Sequence, residues 1–400
     1  MPHCSGPAEV EGDQKRTKRN GCAWTRPDRW APHFQRENGG VPLAPSGDGA
    51  ARRAVPGIEV VAVCTSRKET AEEAAKRCNI PRAFWDAQAM AADPDIDIID
   101  CGTRPSIREA MVLSCLKNGK HVYNAIPHAA SFGGARAINE AWAGSGLVGV
   151  GDAFSEWVPA HQLMKEMLDD GALGQPFGGT CLFNMSLYNI LNPQFPYNWF
   201  AEKGHGVSAV RNLGSHALHM LAYMFGEVEE LVAHDGQLLP EWRSADGETV
   251  LKVETNDFAS MLLRFKSGLV IQCQISWNAT LGSGWLLDVF GSKGRLVAQA
   301  PSFPTSRDTT LHSGRLGETG LRRVEIPERL LRTPEVGLDS EAEIQPAHPM
   351  SLSMNAMARA IEGKVKARPN FAQAWAVERQ QEAIQRSMRE RRWVRLDELA

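Results

Sequence analysis

The stretch Arg211-Asn212-Leu213-Gly214-Ser215-His216-Ala217-Leu218-His219 gathers side chains suited to moving a proton. The imidazole of His216 titrates near neutrality, which is what a general acid or base requires. Asn212 stands four residues earlier. On a helix it shares a face with His216 and can hydrogen-bond either a substrate or the ring. His219 follows at a spacing that two metal ligands can use, but the sequence offers no third ligand and no metal is expected. Packed polar residues within a core would look the same in sequence.

Two further groups have chemical potential. Cys64-Thr65-Ser66-Arg67-Lys68 joins small hydroxyls to a guanidinium and contains no acid, a composition that suits a phosphate. The bland reading is a solvated helix start, capped by Thr65 or Ser66. Phe195-Pro196-Tyr197-Asn198-Trp199-Phe200 places aromatic faces beside an amide and a hydroxyl. Tyr197, Asn198 and Trp199 could stack on and bind a sugar-like ring, or simply form a packed loop.

These groups need elements to hold them. Ile58–Cys64 is a short β-branched run and reads as a buried strand. Glu69–Cys78 is a strong helix former. Strands are expected at Ile96–Ile99, His121–Tyr123 and Leu147–Val150, and helices at Ser106–Asn118 and Ala130–Ser145. Strands alternating with helices imply a parallel sheet with helical crossovers.

The later half changes character. Trp157–Gly171 and Val210–Phe225 read as helices. Phe177–Tyr188, Phe258–Phe265, Gly268–Trp277 and Leu286–Val289 read as strands, with a hairpin at Lys266-Ser267-Gly268. Pro301–Pro349 is loop-rich, and Met350–Gly363 and Ala372–Arg391 are closing helices.

Residues 1–55 differ from all of this. They are rich in Pro, Gly, Arg and Asn without helical or strand periodicity, and are expected to be disordered. The basic cluster Lys15, Arg16, Lys18 and Arg19 is then a solvated tail rather than a nucleic-acid patch.

The bulk numbers fit a soluble globular chain. Its 400 residues suggest two or three domains, 43% are apolar and 23% charged, and the net charge is -3. Neither a nucleic-acid footprint nor a membrane span is present. Eight cysteines are scattered without a CxxC pair, as expected for small buried hydrophobes in a reducing compartment, the cytoplasm.

Eight phrases stand in a familiar order. They are PGIEVVAVCTSRKETAEEAAKR, DIDIIDCGTRPS, NGKHVYNAIPHA, DGALGQP, RNLGSHALHM, LLRFKSGLV, FGSKGRLV and SMRERRWVRL. From about residue 52 to the end, the chain resembles the Gfo/Idh/MocA family of nicotinamide-dependent oxidoreductases. The resemblance implies an α/β, Rossmann-type parallel-sheet nucleotide domain at 56–152. It also implies an α+β substrate and oligomerisation domain at 153–400, with a largely antiparallel open sheet.

The departures from the family pattern are as informative as the matches. The first strand and the glycine-rich phosphate loop are altered or missing. The nearest candidate, Gly47-Asp48-Gly49-Ala50-Ala51-Arg52, follows a proline-containing stretch and leaves no room for a crossover helix before Ile58. Either the strand is lost or residues 1 to about 50 arise from a wrong frame or start. At the ribose end of the groove, Thr65, Ser66 and Arg67 favour NADP over NAD. Thr103, Arg104 and Pro105 occupy the turn that implies contact with the nicotinamide side, as do Asn124 and Pro127. The family's usual Glu-Lys-Pro reads Ala125-Ile126-Pro127 here, so two groups able to exchange protons are gone. Arg108 stands where the family often has His and is expected to face solvent. By resemblance His216 is the candidate catalytic acid/base, and Asn212 replaces an acid beside it.

The expected function is hydride transfer between NAD(P) and a hydroxyl or carbonyl carbon of a sugar- or cyclitol-like molecule. The alternative is a non-catalytic nucleotide- or sugar-binding relative with a sensor role, which the Ala125-Ile126 pair favours. A homodimer or homotetramer is expected from the open sheet.

Overall fold

A computed structural model describes residues 18–23 (backbone only), 55–192, 197–334, 336–338 and 346–399. Six parallel strands form the first sheet. They are β1 (Lys18–Ala23), β2 (Ile58–Cys64), β3 (Arg82–Phe84), β4 (Ile98–Cys101), β5 (His121–Asn124) and β6 (Gly149–Gly151). Their spatial order is β3-β2-β1-β4-β5-β6. The crossover helices are α1 (Lys68–Cys78), α2 (Ala87–Ala92), α3 (Pro105–Lys117) and α4 (Phe132–Trp142). Pro105 occupies the first turn of α3, where its fixed φ is pre-set for a helix and its missing N–H costs nothing. Ser131 caps α4 by accepting from Gly134 N.

This strand order reverses direction between β1 and β4. Such a switch opens a crevice beyond the carboxyl ends of the strands, where open α/β sheets bind ligands. Four segments therefore face that crevice from their strand ends: the one after Cys64, the one after Cys101, the one after Asn124 and the one after Gly151.

The first strand requires a correction. Lys18–Ala23 lies inside the stretch expected to be disordered, yet its backbone pairs parallel to both β2 and β4, with Asn20 opposite Ile98. The strand is altered, and the sheet reaches back beyond the expected boundary at 56. Its sequence KRNGCA carries no apolar run, so nothing in its composition marks a central strand. Gly47–Arg52, Lys15 and Arg16 lie outside the described residues.

The second sheet has nine strands: β7 (Pro176–Asn184), β8 (Val228–Gly236), β11 (Phe258–Phe265), β12 (Val270–Ser276), β13 (Gly284–Gly291), β14 (Gly294–Ala300), β15 (Thr310–Arg315), β16 (Arg322–Val324) and β17 (Val394–Arg395). A separate ribbon pairs β9 (Glu241–Arg243) with β10 (Val250–Lys252). In the large sheet only β7 and β12 run parallel. The expected hairpin joins β11 to β12, with Gly268 at φ 86° and its N–H bonded to Phe265 O at 2.9 Å. The loop-rich stretch holds β15, β16 and the single turn α7 (Glu328–Leu331).

Helices α5 (Pro159–Asp169) and α6 (Leu213–Phe225) fill the core of this second sheet with Leu163, Met164, Leu218 and Leu221. α8 (Ala347–Ile361) packs Met354 and Met357 against Ile58, Ile98 and Val150 of the first sheet. α9 (Phe371–Glu390) belongs to both cores. Its Phe371 is buried with Val122 and Ile138, while its Val377, Ala383 and Ile384 join the second core. Of the six described cysteines, all but the partly exposed Cys78 are buried.

Candidate active site

The end of β2 presents Thr65, Ser66 and Arg67. Thr65 is buried and spends its hydroxyl locally, donating to Arg67 O at 2.9 Å and pairing with Thr70 Oγ1 at 2.6 Å. Neither hydroxyl caps α1. The cap position is Arg67, whose side chain makes no capping bond. Ser66 and Arg67 are exposed at the crevice end of the strand.

The turn after β4 carries Thr103, Arg104 and Pro105. Thr103 and Pro105 are buried, whereas Arg104 is exposed and reaches across to the second lobe. Its guanidinium lies 5.4 Å from the Trp199 ring centre and its Nη1 is 3.4 Å from His205 Nε2. Ser106 Oγ meets His205 Nδ1 at 2.9 Å. Tyr197, Asn198 and Trp199 are half-buried, and Trp199 also meets His205 edge-on at 5.4 Å. Trp199, with Tyr197 and Asn198 before it, thus stands beside the turn after β4. Phe195 and Pro196 lie outside the described residues.

Arg108 does not face solvent. It is 2% exposed, and its guanidinium donates to Thr103 O and Pro127 O. Burial draws its pKa down to about 10, so it remains a cation near neutrality. The residue ties the turn after β4 to the turn after β5. Its position was legible in outline: residues 108, 112 and 115 recur at helical spacing, and Val112 and Cys115 share its buried face.

The turn after β5 holds half-buried Ala125 and Ile126, followed by a cis bond to Pro127. Asn124 is buried and donates through Nδ2 to His128 Nδ1 at 3.1 Å and to His128 O at 2.9 Å. Asn124 Oδ1 and His128 Nε2 are buried without a hydrogen-bond partner. Burial, with Arg108 and His219 nearby, pulls the His128 imidazole down to about 3.

α6 supplies the opposite wall. Asn212 is its N-cap residue, half-buried, with a side chain that caps nothing and remains available. The backbone at 212 accepts from His216 N at 3.4 Å, which puts the two residues on one face. His216 is 9% exposed and lies between two aromatic rings. Phe154 meets it edge-on at 5.6 Å and Phe303 at 4.7 Å. Its Nδ1 is buried without a hydrogen-bond partner. Burial, helped by His219, draws the imidazole down to about 3, so the ring is neutral and a weaker base than the near-neutral group expected from the sequence. Neither phenylalanine was visible as a neighbour, because 62 and 87 residues of chain separate them from His216.

His219 points elsewhere. Its Nδ1 meets Gln373 Nε2 at 3.2 Å, and the same amide donates to the fully buried Glu156. Burial pushes the Glu156 carboxyl up to about 8 against the pull of Arg368, whose Nε stands 3.8 Å away. That separation is too long for a hydrogen bond, and burial wins. Among the described residues no group of three His, Cys, Asp or Glu could hold a metal.

A nicotinamide dinucleotide fits this chemistry. The crevice lies at the strand switch, Ser66 and Arg67 are exposed at the end of β2, and Asn124 Oδ1 and His128 Nε2 leave polar valences unfilled at the end of β5. Fold and site define a two-lobed, dinucleotide-binding oxidoreductase architecture.

The comparisons with known proteins agree. Residues 43–152 match the oxidoreductase family with an NAD-binding Rossmann fold, and residues 161–297 match the GFO/IDH/MocA C-terminal domain. The chain belongs to the Gfo/Idh/MocA family. It is 28% identical over 252 residues to D-apiose dehydrogenase of Paraburkholderia graminis, covering 62% of this chain and 63% of that protein. It is 24% identical over 374 residues to levoglucosan dehydrogenase of Pseudarthrobacter phenanthrenivorans, covering 87% and 91%. A levoglucosan dehydrogenase solved in complex with NADH superposes with a TM-score of 0.80 at 20% identity, covering 95% of this chain and 99% of that one. No helix among the described residues is long and apolar enough to cross a membrane.

Proposed function

We propose that the protein transfers a hydride between NAD(P) and a hydroxyl or carbonyl carbon of a sugar- or cyclitol-like small molecule. The observation that carries this reading is the buried, unpartnered Nδ1 of His216 near the start of α6, one turn from the half-buried amide of Asn212. Similarity to D-apiose and levoglucosan dehydrogenases supports the substrate class.

The residues divide the work. Ser66 and Arg67 would hold the adenosine ribose or its 2′-phosphate, with Thr65 shaping that turn from within. Thr103, Arg104, Pro105, Asn124 and Pro127 would hold the nicotinamide side. When bound, the nicotinamide ring supplies a two-electron hydride acceptor or donor. His216 accepts the proton of the substrate hydroxyl during oxidation and returns it during reduction, and Asn212 orients that hydroxyl. Tyr197, Asn198 and Trp199 receive the rest of the substrate ring. The open face of the nine-stranded sheet, where Leu262 and Phe290 are exposed, supports a homodimer or homotetramer.

The test is titration with NAD+ and NADP+ followed by a hydride-transfer assay at 340 nm on a polyol and anhydrosugar panel. Turnover on at least one member is expected. Tight dinucleotide binding without any turnover would instead support a non-catalytic sensor, the reading that the proton-inert Ala125 and Ile126 favour.

Arg67 makes the cofactor preference testable. An exposed guanidinium at the end of β2, in a turn Cys64–Lys68 that contains no acid, favours a 2′-phosphate. Arg67→Ala is expected to raise the KM for NADP+ by about tenfold, the loss of one charge-assisted contact, and to leave that for NAD+ nearly unchanged. An equal rise for both cofactors would assign Arg67 no part in the preference.

A further inference from the structure

The two walls of the proposed site come from different lobes: the turn after β5 from one, the start of α6 from the other. An ionic clamp joins them. Arg211, the residue before Asn212, donates through Nη2 to Ala129 O at 2.8 Å and to Glu378 Oε2 at 3.0 Å, and through Nε to Gly206 O at 2.9 Å. Glu378 reaches back to the first lobe, accepting from Ala129 N at 3.4 Å. Its side chain is 1% exposed and that of Arg211 16%.

The surrounding packing makes the clamp stiff. A Cβ at Gly206 would lie 2.3 Å from Ala130 O, so the approach to α6 is pressed directly onto the first lobe. One turn along α9, Gln381 donates to Val210 O at 2.9 Å, and Ser215 Oγ donates to Arg211 O at 2.6 Å. α9 itself is pinned to the first lobe by Phe371, whose ring would lie 2.6 Å from a Cβ at Gly149.

We infer that Arg211 and Glu378 are positioning residues that set the distance between the Ile126-Pro127 turn and the imidazole of His216. This rests on the hydride-transfer reading above. Neither residue touches the reacting atoms. The clamp fixes Ala129, two residues past Pro127, and the residue immediately before Asn212, so it controls both walls at once. With Lys absent from the turn, placement of His216 is the main lever the site retains. Misplacement by about 1 Å costs on the order of 100-fold in rate.

Arg211→Met, Arg211→Lys and Glu378→Gln test this on the full-length protein. In Arg211→Met, kcat per folded molecule is expected to fall roughly 10- to 100-fold, while the Kd for NAD(P)H moves less than about twofold. The primary deuterium isotope effect on kcat should rise as hydride transfer becomes limiting. Arg211→Lys and Glu378→Gln, which each keep part of the hydrogen-bonding, should fall between. Unchanged kcat per folded molecule, or kcat and cofactor affinity lost in parallel, would overturn the inference. If the wild-type protein turns over no substrate, the functional reading fails and hydrogen exchange decides the clamp alone. Joint loss of protection at 126–130 and 208–216 in Arg211→Met supports it, and loss confined to 208–216 refutes it.

Discussion

His216→Asn is expected to lower kcat for hydride transfer by roughly 10²- to 10⁴-fold, the usual contribution of a positioned acid or base. Cofactor affinity should be nearly unchanged, because Asn keeps a polar group of similar reach and the residues proposed to hold the dinucleotide lie on the other lobe. The pH profile is the sharper part of this expectation. Burial holds the His216 imidazole at about 3, well below its ordinary 6.5. It is therefore neutral throughout the physiological range, and the acid limb of kcat/KM in the oxidative direction should not fall at pH 6.5. A base this weak takes its proton late, when the C–H bond is already breaking and the hydroxyl has become acidic. Steady-state rates from pH 5.5 to 9 check both statements. An acid limb near 6.5 that vanishes in His216→Asn would show that the ring is hydrated and ordinary in the working protein.

The charge pattern of the site explains why so much is asked of one imidazole. Ala125 and Ile126 carry no ionisable group, and Asn212 is a neutral amide. His216 remains, neutral, between Phe154 and Phe303. With no ionisable side chain at 125, 126 or 212, transition-state stabilisation depends on the placement of His216 more than on charges at those positions. That is why the clamp between Arg211 and Glu378 carries weight out of proportion to its distance from the chemistry.

The fold was legible where apolar periodicity is strong. Ile58–Cys64 and Phe258–Phe265 are strands with the expected bounds, because β-branched and aromatic residues fill buried faces there. β1 was illegible, since KRNGCA lacks the apolar run that marks a central parallel strand. β8 was missed for a related reason: its outer face carries Glu229, Glu230 and His234, and the alternation is diluted. In the site, residue types pointed to His216 and Asn212, but the partners that set their behaviour are remote in sequence. Glu378 and Gln381 sit among apolar residues on the buried side of α9, and nothing in a local window says that they grip another helix. Arg108 was misjudged by residue type. A guanidinium is usually solvated, and here two backbone carbonyls replace the solvent.

The second large expectation concerns stability against pH, and it follows from the same buried groups. Burial holds His128, His216 and His219 at about 3 and His161 at about 4. A histidine with a lowered folded pKa contributes stability that is present above its unfolded value of 6.5 and is lost as pH falls below it. Between pH 7 and 5.5 the four together lose on the order of 5 kcal/mol. Glu156 acts in the opposite sense. Its carboxyl is raised from 4.5 to about 8. It contributes stability that is full below 4.5 and is lost as pH rises through 8, so acidification from pH 7 to 5.5 returns about 2 kcal/mol. The net loss is then on the order of 3 kcal/mol, a large share of an ordinary domain's stability. Glu156→Gln separates the terms, because an amide cannot ionise and is nearly the same shape. Its loss between pH 7 and 5.5 should be roughly 5 kcal/mol, about 2 more than wild type. Urea unfolding of both proteins at the two pH values measures this, and equal pH dependence in the pair would show that Glu156 is already ionised in the fold.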